Sequence, residues 1–154
     1  MKKNDELIYE AWNDHLKNTR ERTNYSIRRF DLLIISISGA GIYIVFETLK
    51  ELKSGSINAE FPKLLLISGI LFLISIISNF ISQRTGYAAN NNEESYINLE
   101  LQKIRGKKID ECLQENINKK VSYYNLWTTR LNYLSMILML LGLVLSVIFN
   151  YSLF

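Results

Sequence analysis

The sequence predicts an all-α integral membrane bundle, with three transmembrane helices and a cytoplasmic helical stalk. Three observations carry that expectation. Apolar residues gather in blocks at 32–46, 64–81 and 131–149, and nearly all charge lies between them. The middle block, LLLISGILFLISIISNFI, holds eighteen residues with neither charge nor proline. As a helix it is about 27 Å long, close to the hydrocarbon thickness of a bilayer. The intervening segments place apolar residues at intervals of three and four, the period of a helix packed on one side.

Residues 1–30 read as a cytoplasmic amphipathic helix. Ile8, Trp12, His15, Leu16, Thr19, Ile27 and Phe30 form its stripe, with acids early and bases late, the order a helix dipole favours. With no Gly or Pro before Gly39, this helix is expected to run straight into the first span, 31–52. Arg28, Arg29 and Lys50 snorkel at its edges. Residues 53–61 form an external loop, and Ser54-Gly55-Ser56 is turn chemistry. Pro62 suits the first turn of the second span, 62–83. So short a loop makes the two spans an antiparallel hairpin.

Residues 84–130 are expected to be a cytoplasmic helical segment. It opens with a polar stretch, TGYAANNN, read as loop or frayed helix, and breaks at Gly106. Ile109, Leu113, Ile117, Val121 and Tyr124 then lead without interruption into the third span, 131–150, and a short external tail, 151–154. Tyr123, Tyr124 and Trp127 fall at the expected inner boundary, and Phe149, Tyr151 and Phe154 at the outer one, as an aromatic belt does. Lys and Arg number seven in residues 1–30, three in 48–63 and eight in 83–130. The positive-inside rule then places the N-terminus in the cytoplasm. Two charged segments on one side, each with an apolar stripe, invite burial against each other, and so thin a stalk favours a homo-oligomer.

Composition excludes several classes. A net charge of +3 gives no footprint for nucleic acid. One cysteine, Cys112, allows neither an internal disulfide nor a cysteine-based zinc site. It reads as a small packing residue beside a buried face. His15, the sole histidine, reads as a packed side chain. No P-loop, GxSxG, HExxH or paired-carboxylate pattern occurs, so neither an enzyme nor a cofactor is expected.

The candidate residues lie inside the spans. Ser68, Ser75, Asn79 and Ser82 share one face of the second span; Ser135, Gly142, Ser146 and Asn150 share one face of the third; Ser36, Ala40, Tyr43 and Glu47 align on the first. Small and hydroxyl residues let helices approach and hydrogen-bond, so these faces are expected to pack. The functional alternative is that they line a water path in an oligomer. Asp31 and Glu47 bracket the first span near headgroup water, with Arg28 in reach of Asp31; Glu47 is the candidate for attracting ions. Lys103, Arg105, Lys107 and Lys108 surround Gly106 as a candidate contact for anionic lipid or an anionic ligand such as a nucleotide.

Arg28-Arg29-Phe30-Asp31 leading into LLIISISGAGIYIVFE resembles small bacterial membrane proteins of phage-defence and abortive-infection type. The resemblance implies an oligomeric inner-membrane effector that compromises the membrane when a cytoplasmic trigger is sensed. The expected function is therefore a channel-like or membrane-disrupting effector. The alternative is a non-enzymatic anchor or accessory subunit whose stalk recruits a cytoplasmic protein.

Overall fold

The computed structural model describes residues 3–59, 61–104 and 107–153; the side chains of most residues before Arg28, and of Glu100, Leu101, Lys103 and Ile104, lie outside that description. The chain forms three helices, α1 (Lys3–Ser54), α2 (Pro62–Ile104) and α3 (Glu111–Tyr151), with no strand among the described residues. α1 is uninterrupted at Asn24. Each helix contains a stretch long and apolar enough to cross a membrane.

The ends follow from local chemistry. Gly55 takes φ +75°, and its N–H donates to the Leu52 carbonyl while that of Ser56 donates to Glu51. This is a Schellman stop, and a side chain at Gly55 would strain the left-handed backbone. Pro62 occupies the first position of α2, where its missing N–H costs nothing. Asp110 caps α3: its Oδ1 accepts from the N–H groups of Cys112 and Leu113 at 3.0 and 3.1 Å. α3 thus begins two residues later than Ile109, the expected start. The polar stretch 85–92 is helix, not loop, and α2 runs through it unbroken.

The chain divides into two units, residues 1–33 and 34–154. In the first, the Arg29 guanidinium lies over the Tyr25 ring, 5.5 Å from its centroid. The stripe from Ile8 to Ile27, His15 included, lies outside the described side chains, so the expected burial of that stripe is not part of the structure's description.

The second unit is a three-helix bundle. From α1 it buries Ile34, Ser38, Gly41 and Val45, spaced four, three, four. From α2 it buries Leu65, Ser68, Phe72, Ser75, Asn79, Ser82 and Ala89, also at threes, fours and sevens, with Ser78 buried beside Asn79. From α3 it buries Gln114, Ser135, Met139, Gly142 and Phe149. Such spacing marks a coiled-coil seam. The distribution of polarity is the reverse of a soluble bundle. Leu73, Ile74, Ile77, Phe80, Leu140, Leu141 and Val144 face outward, while serines and an asparagine sit inside. Phe149, expected at the outer boundary, is fully buried against Val45 and Leu65; Tyr151 is exposed there instead.

Asp110→Ala is expected to lower stability by about 1 kcal/mol, the usual cost of a lost N-cap, with Asp110→Asn close to wild type. Thermal unfolding of the purified chain in mild detergent checks this.

Candidate functional site

The candidate site is the polar interior of the bundle. Its register is set by α2 and α3 running antiparallel. Ser68 donates to the Gly142 carbonyl at 2.9 Å, Ser75 to Ser135 at 2.7 Å, and Ser82 to Thr128 at 3.0 Å. Each step of seven along α2 meets a step of seven backwards along α3, so one hydroxyl per two turns reaches a neighbouring backbone carbonyl. The Ser68 and Ser146 hydroxyls are 2.6 Å apart. Ser68 has already committed its single proton to Gly142, so Ser146 is the donor in that pair. Ser82 also reaches Asn132 Oδ1 at 2.6 Å, and the hydroxyls of Thr85 and Thr128 lie 2.8 Å apart. From α1, Ser38 donates to Ser75 at 3.5 Å. Asn79 Oδ1 accepts from Gln83 within α2.

No buried polar side-chain atom among the described residues lacks a partner. Interhelical bonds of this type average about 0.6 kcal/mol in a bilayer. Three carbonyl-directed serines therefore contribute about 2 kcal/mol, too little to hold the bundle alone. Packing contributes more. Phe72 is fully buried between two glycines on different helices. A Cβ on Gly41 would fall 2.5 Å from the Phe72 ring, and one on Gly142 would fall 2.9 Å from its other edge. Gly69 makes a similar allowance for Val45, where a Cβ would approach to 2.9 Å.

Of the candidates read from the sequence, Ser68, Ser75, Asn79, Ser82, Ser135, Gly142 and Ser146 come together inside the bundle. Two do not. Ser36 is exposed on the far side of α1, and the serine that enters is Ser38, two residues on. Glu47 turns toward the outside and pairs with Lys50 at 2.6 Å. Asn150 is exposed and donates back to the Ser146 carbonyl. Cys112 is exposed in the first turn of α3, correcting the expectation that it packs. Lys107 and Lys108 are exposed in the turn after α2; the Lys103 side chain and Arg105 lie outside the described residues. Gly41 packs closely, as expected of a glycine within the first span, whereas sequence reasoning missed Ser38, Phe72, Thr128 and Asn132. The signal for Thr128 was present, since it continues the seven-residue step 142, 135.

Beyond Ser82 and Thr128 the polarity inverts. The interior becomes Gly86, Ala89, Val121 and Tyr124, while Asn90, Glu93, Glu94, Asn118, Lys119 and Lys120 face outward. Arg84 and Arg130 flank the change, the former 5.6 Å over the Tyr87 ring. Tyr123 contacts Tyr124 and Trp127 edge to face at the same level, with centroids 5.7 and 6.3 Å apart. Cations and aromatic rings at such a transition are what an interface between hydrocarbon and water selects.

Among the described residues no three His, Cys, Asp or Glu side chains converge as metal ligands. No protein-family model, curated protein or solved structure matches the chain, so a functional reading rests on geometry.

Gly41→Ala is expected to cost about 1–3 kcal/mol by overfilling the core against Phe72. Adding Phe72→Leu should return part of that loss, whereas Ser75→Ala alone should cost under about 2 kcal/mol. Equilibrium unfolding of the three variants in mixed micelles checks the ranking.

Proposed function

We propose that the chain is a non-enzymatic, multi-pass membrane anchor that holds the α2–α3 hairpin at the bilayer surface for a cytoplasmic protein partner. The observation that carries this reading is the occupation of the polar side chains within the spans. Ser68, Ser75 and Ser82 bond to α3, and Phe72 fills the space between them. Hydroxyls so committed are occupied in association of the three helices, which supports a packing role for them. The surface left to act is the outside of the hairpin, where Tyr87, Ile97 and Leu113 are exposed among charged and amide residues. The Lys and Arg distribution supports a cytoplasmic N-terminus and hairpin in a bacterial inner membrane.

A second reading has one observation in its favour. Ser36, Gly39, Ala40 and Tyr43 form an outward face of α1 that the single chain leaves uncovered. Small residues at this spacing let helices of neighbouring copies approach. That supports a homo-oligomeric, channel-like or membrane-disrupting effector of the defence type.

The two readings differ in output. Liposomes holding the purified chain are expected to retain carboxyfluorescein as long as empty vesicles do. Cross-linking in cells is expected to trap a partner on residues 84–130, and Ile97→Glu with Leu113→Glu should release it. Leakage above the protein-free rate, with only self-copies trapped, replaces the anchor by the effector.

A further inference from the structure

A cleft of about 260 Å³ lies on the outside of the bundle, between α1 and α2. Ile42, Phe46 and Leu49 form one wall and Leu66, Ile70 and Leu73 the other, with Val45 and Gly69 at the floor. No polar side chain lines it. The absent side chain at Gly69 is what allows the floor to sit so deep, because Val45 fills the position a Cβ would take.

Both walls end in lysine. On α1 the face 42, 46, 49 continues at intervals of three and four to Lys53. On α2 the face 73, 70, 66 continues to Lys63. Both lysines are exposed, and among the described residues neither has a carboxylate within ion-pair distance; Lys50, the neighbouring cation, is taken by Glu47. From Lys53 to Ile42 is eleven residues, about 16 Å of helix rise, and from Lys63 to Leu73 about 15 Å. Half the hydrocarbon thickness of a bilayer is about 15 Å. The cleft with its lysines therefore has the depth of one leaflet, with positive charge where a headgroup phosphate sits.

We propose that this cleft is a phospholipid site. One acyl chain lies against the apolar walls, and the phosphate of an anionic headgroup meets Lys53 and Lys63. The proposal rests on the membrane-embedded reading but not on the partner-recruiting role.

The test is native mass spectrometry of the full chain, purified in mild detergent and titrated with phosphatidylglycerol or phosphatidylcholine. Wild type is expected to carry one phosphatidylglycerol and to hold phosphatidylcholine more weakly. Ile70→Trp, at a position 48% exposed and so harmless to the core, is expected to fill the cleft and abolish the adduct. Lys53→Glu with Lys63→Glu should weaken phosphatidylglycerol binding about thirtyfold. A lipid-free wild type, an equal adduct on Ile70→Trp, a second copy in place of lipid, or equal retention of the two lipids overturns the proposal. Carbonate extraction of the same variants separates the two readings, since their loss from the membrane fraction would count against embedding itself.

Discussion

One phenyl ring between two glycines sets the spacing of the bundle. Phe72 reaches from α2 into the junction of all three helices, where Gly41 and Gly142 present backbone to opposite sides of its ring. In a lipid-facing bundle no hydrophobic effect drives helices together, because the surrounding tails are as apolar as leucine. Association then depends on contact density and on hydrogen bonds unavailable to separated helices. The glycines supply the first by admitting a large side chain without forcing the backbones apart. Ile34 and Met139 close the same cluster. The serines one turn to either side of Phe72 are then near enough to reach carbonyls on α3, so the hydroxyl ladder is a consequence of the close approach as well as a support for it.

This dependence explains which parts of the structure were legible in the sequence. The three helices were legible because charge and apolarity alternate in long blocks. The interior faces of α2 and α3 were legible because hydroxyl and glycine residues recur at sevens in otherwise apolar helices. α1 was ambiguous. It carries two stripes of equal regularity, Ser36–Ala40–Tyr43–Glu47 and Ile34–Ser38–Gly41–Val45, and a helix apolar all round does not reveal which faces inward. In the structure Gly41 is the α1 glycine set against the Phe72 ring, while Gly39, on the other face, has open space where a Cβ would be. Phe149 misled for a related reason: an aromatic residue near a span end has the same local signature whether it anchors at the interface or fills a core.

Residues 85–92 illustrate the limit of local propensity. Thr, Gly and Asn are poor helix formers, and five of them together with Ala read as loop or frayed helix. The helix persists because its inner positions need small side chains. Gly86 lies where a Cβ would make ordinary contact with Thr128, and Ala89 is buried further along. Asn92 and Ser95 return side-chain hydrogen bonds to carbonyls four residues earlier, occupying polar groups that would otherwise compete with the helix. Tertiary contact along α3 thus overrides weak propensity.

The same pair of helices carries an apolar outside along one half and a polar outside along the other, and the residues of the seam change with it. Where the outside is leucine and isoleucine, the seam uses Ser68, Ser75, Asn79 and Ser82, because in hydrocarbon a polar group gains most by finding a partner inside. Where the outside is asparagine, glutamate and lysine, the seam uses Gly86, Ala89, Val121 and Ile117, because in water apolar burial is the available force. Both helices run unbroken through the transition, and neither carries a proline there. On the proposed membrane-anchor reading, helices continuous from the apolar half into the polar half would hold the exposed outer face of the hairpin at a set distance from the lipid. That continuity is a mechanical reason for reading the chain as a presenting scaffold, since a loop between the two halves would have uncoupled them.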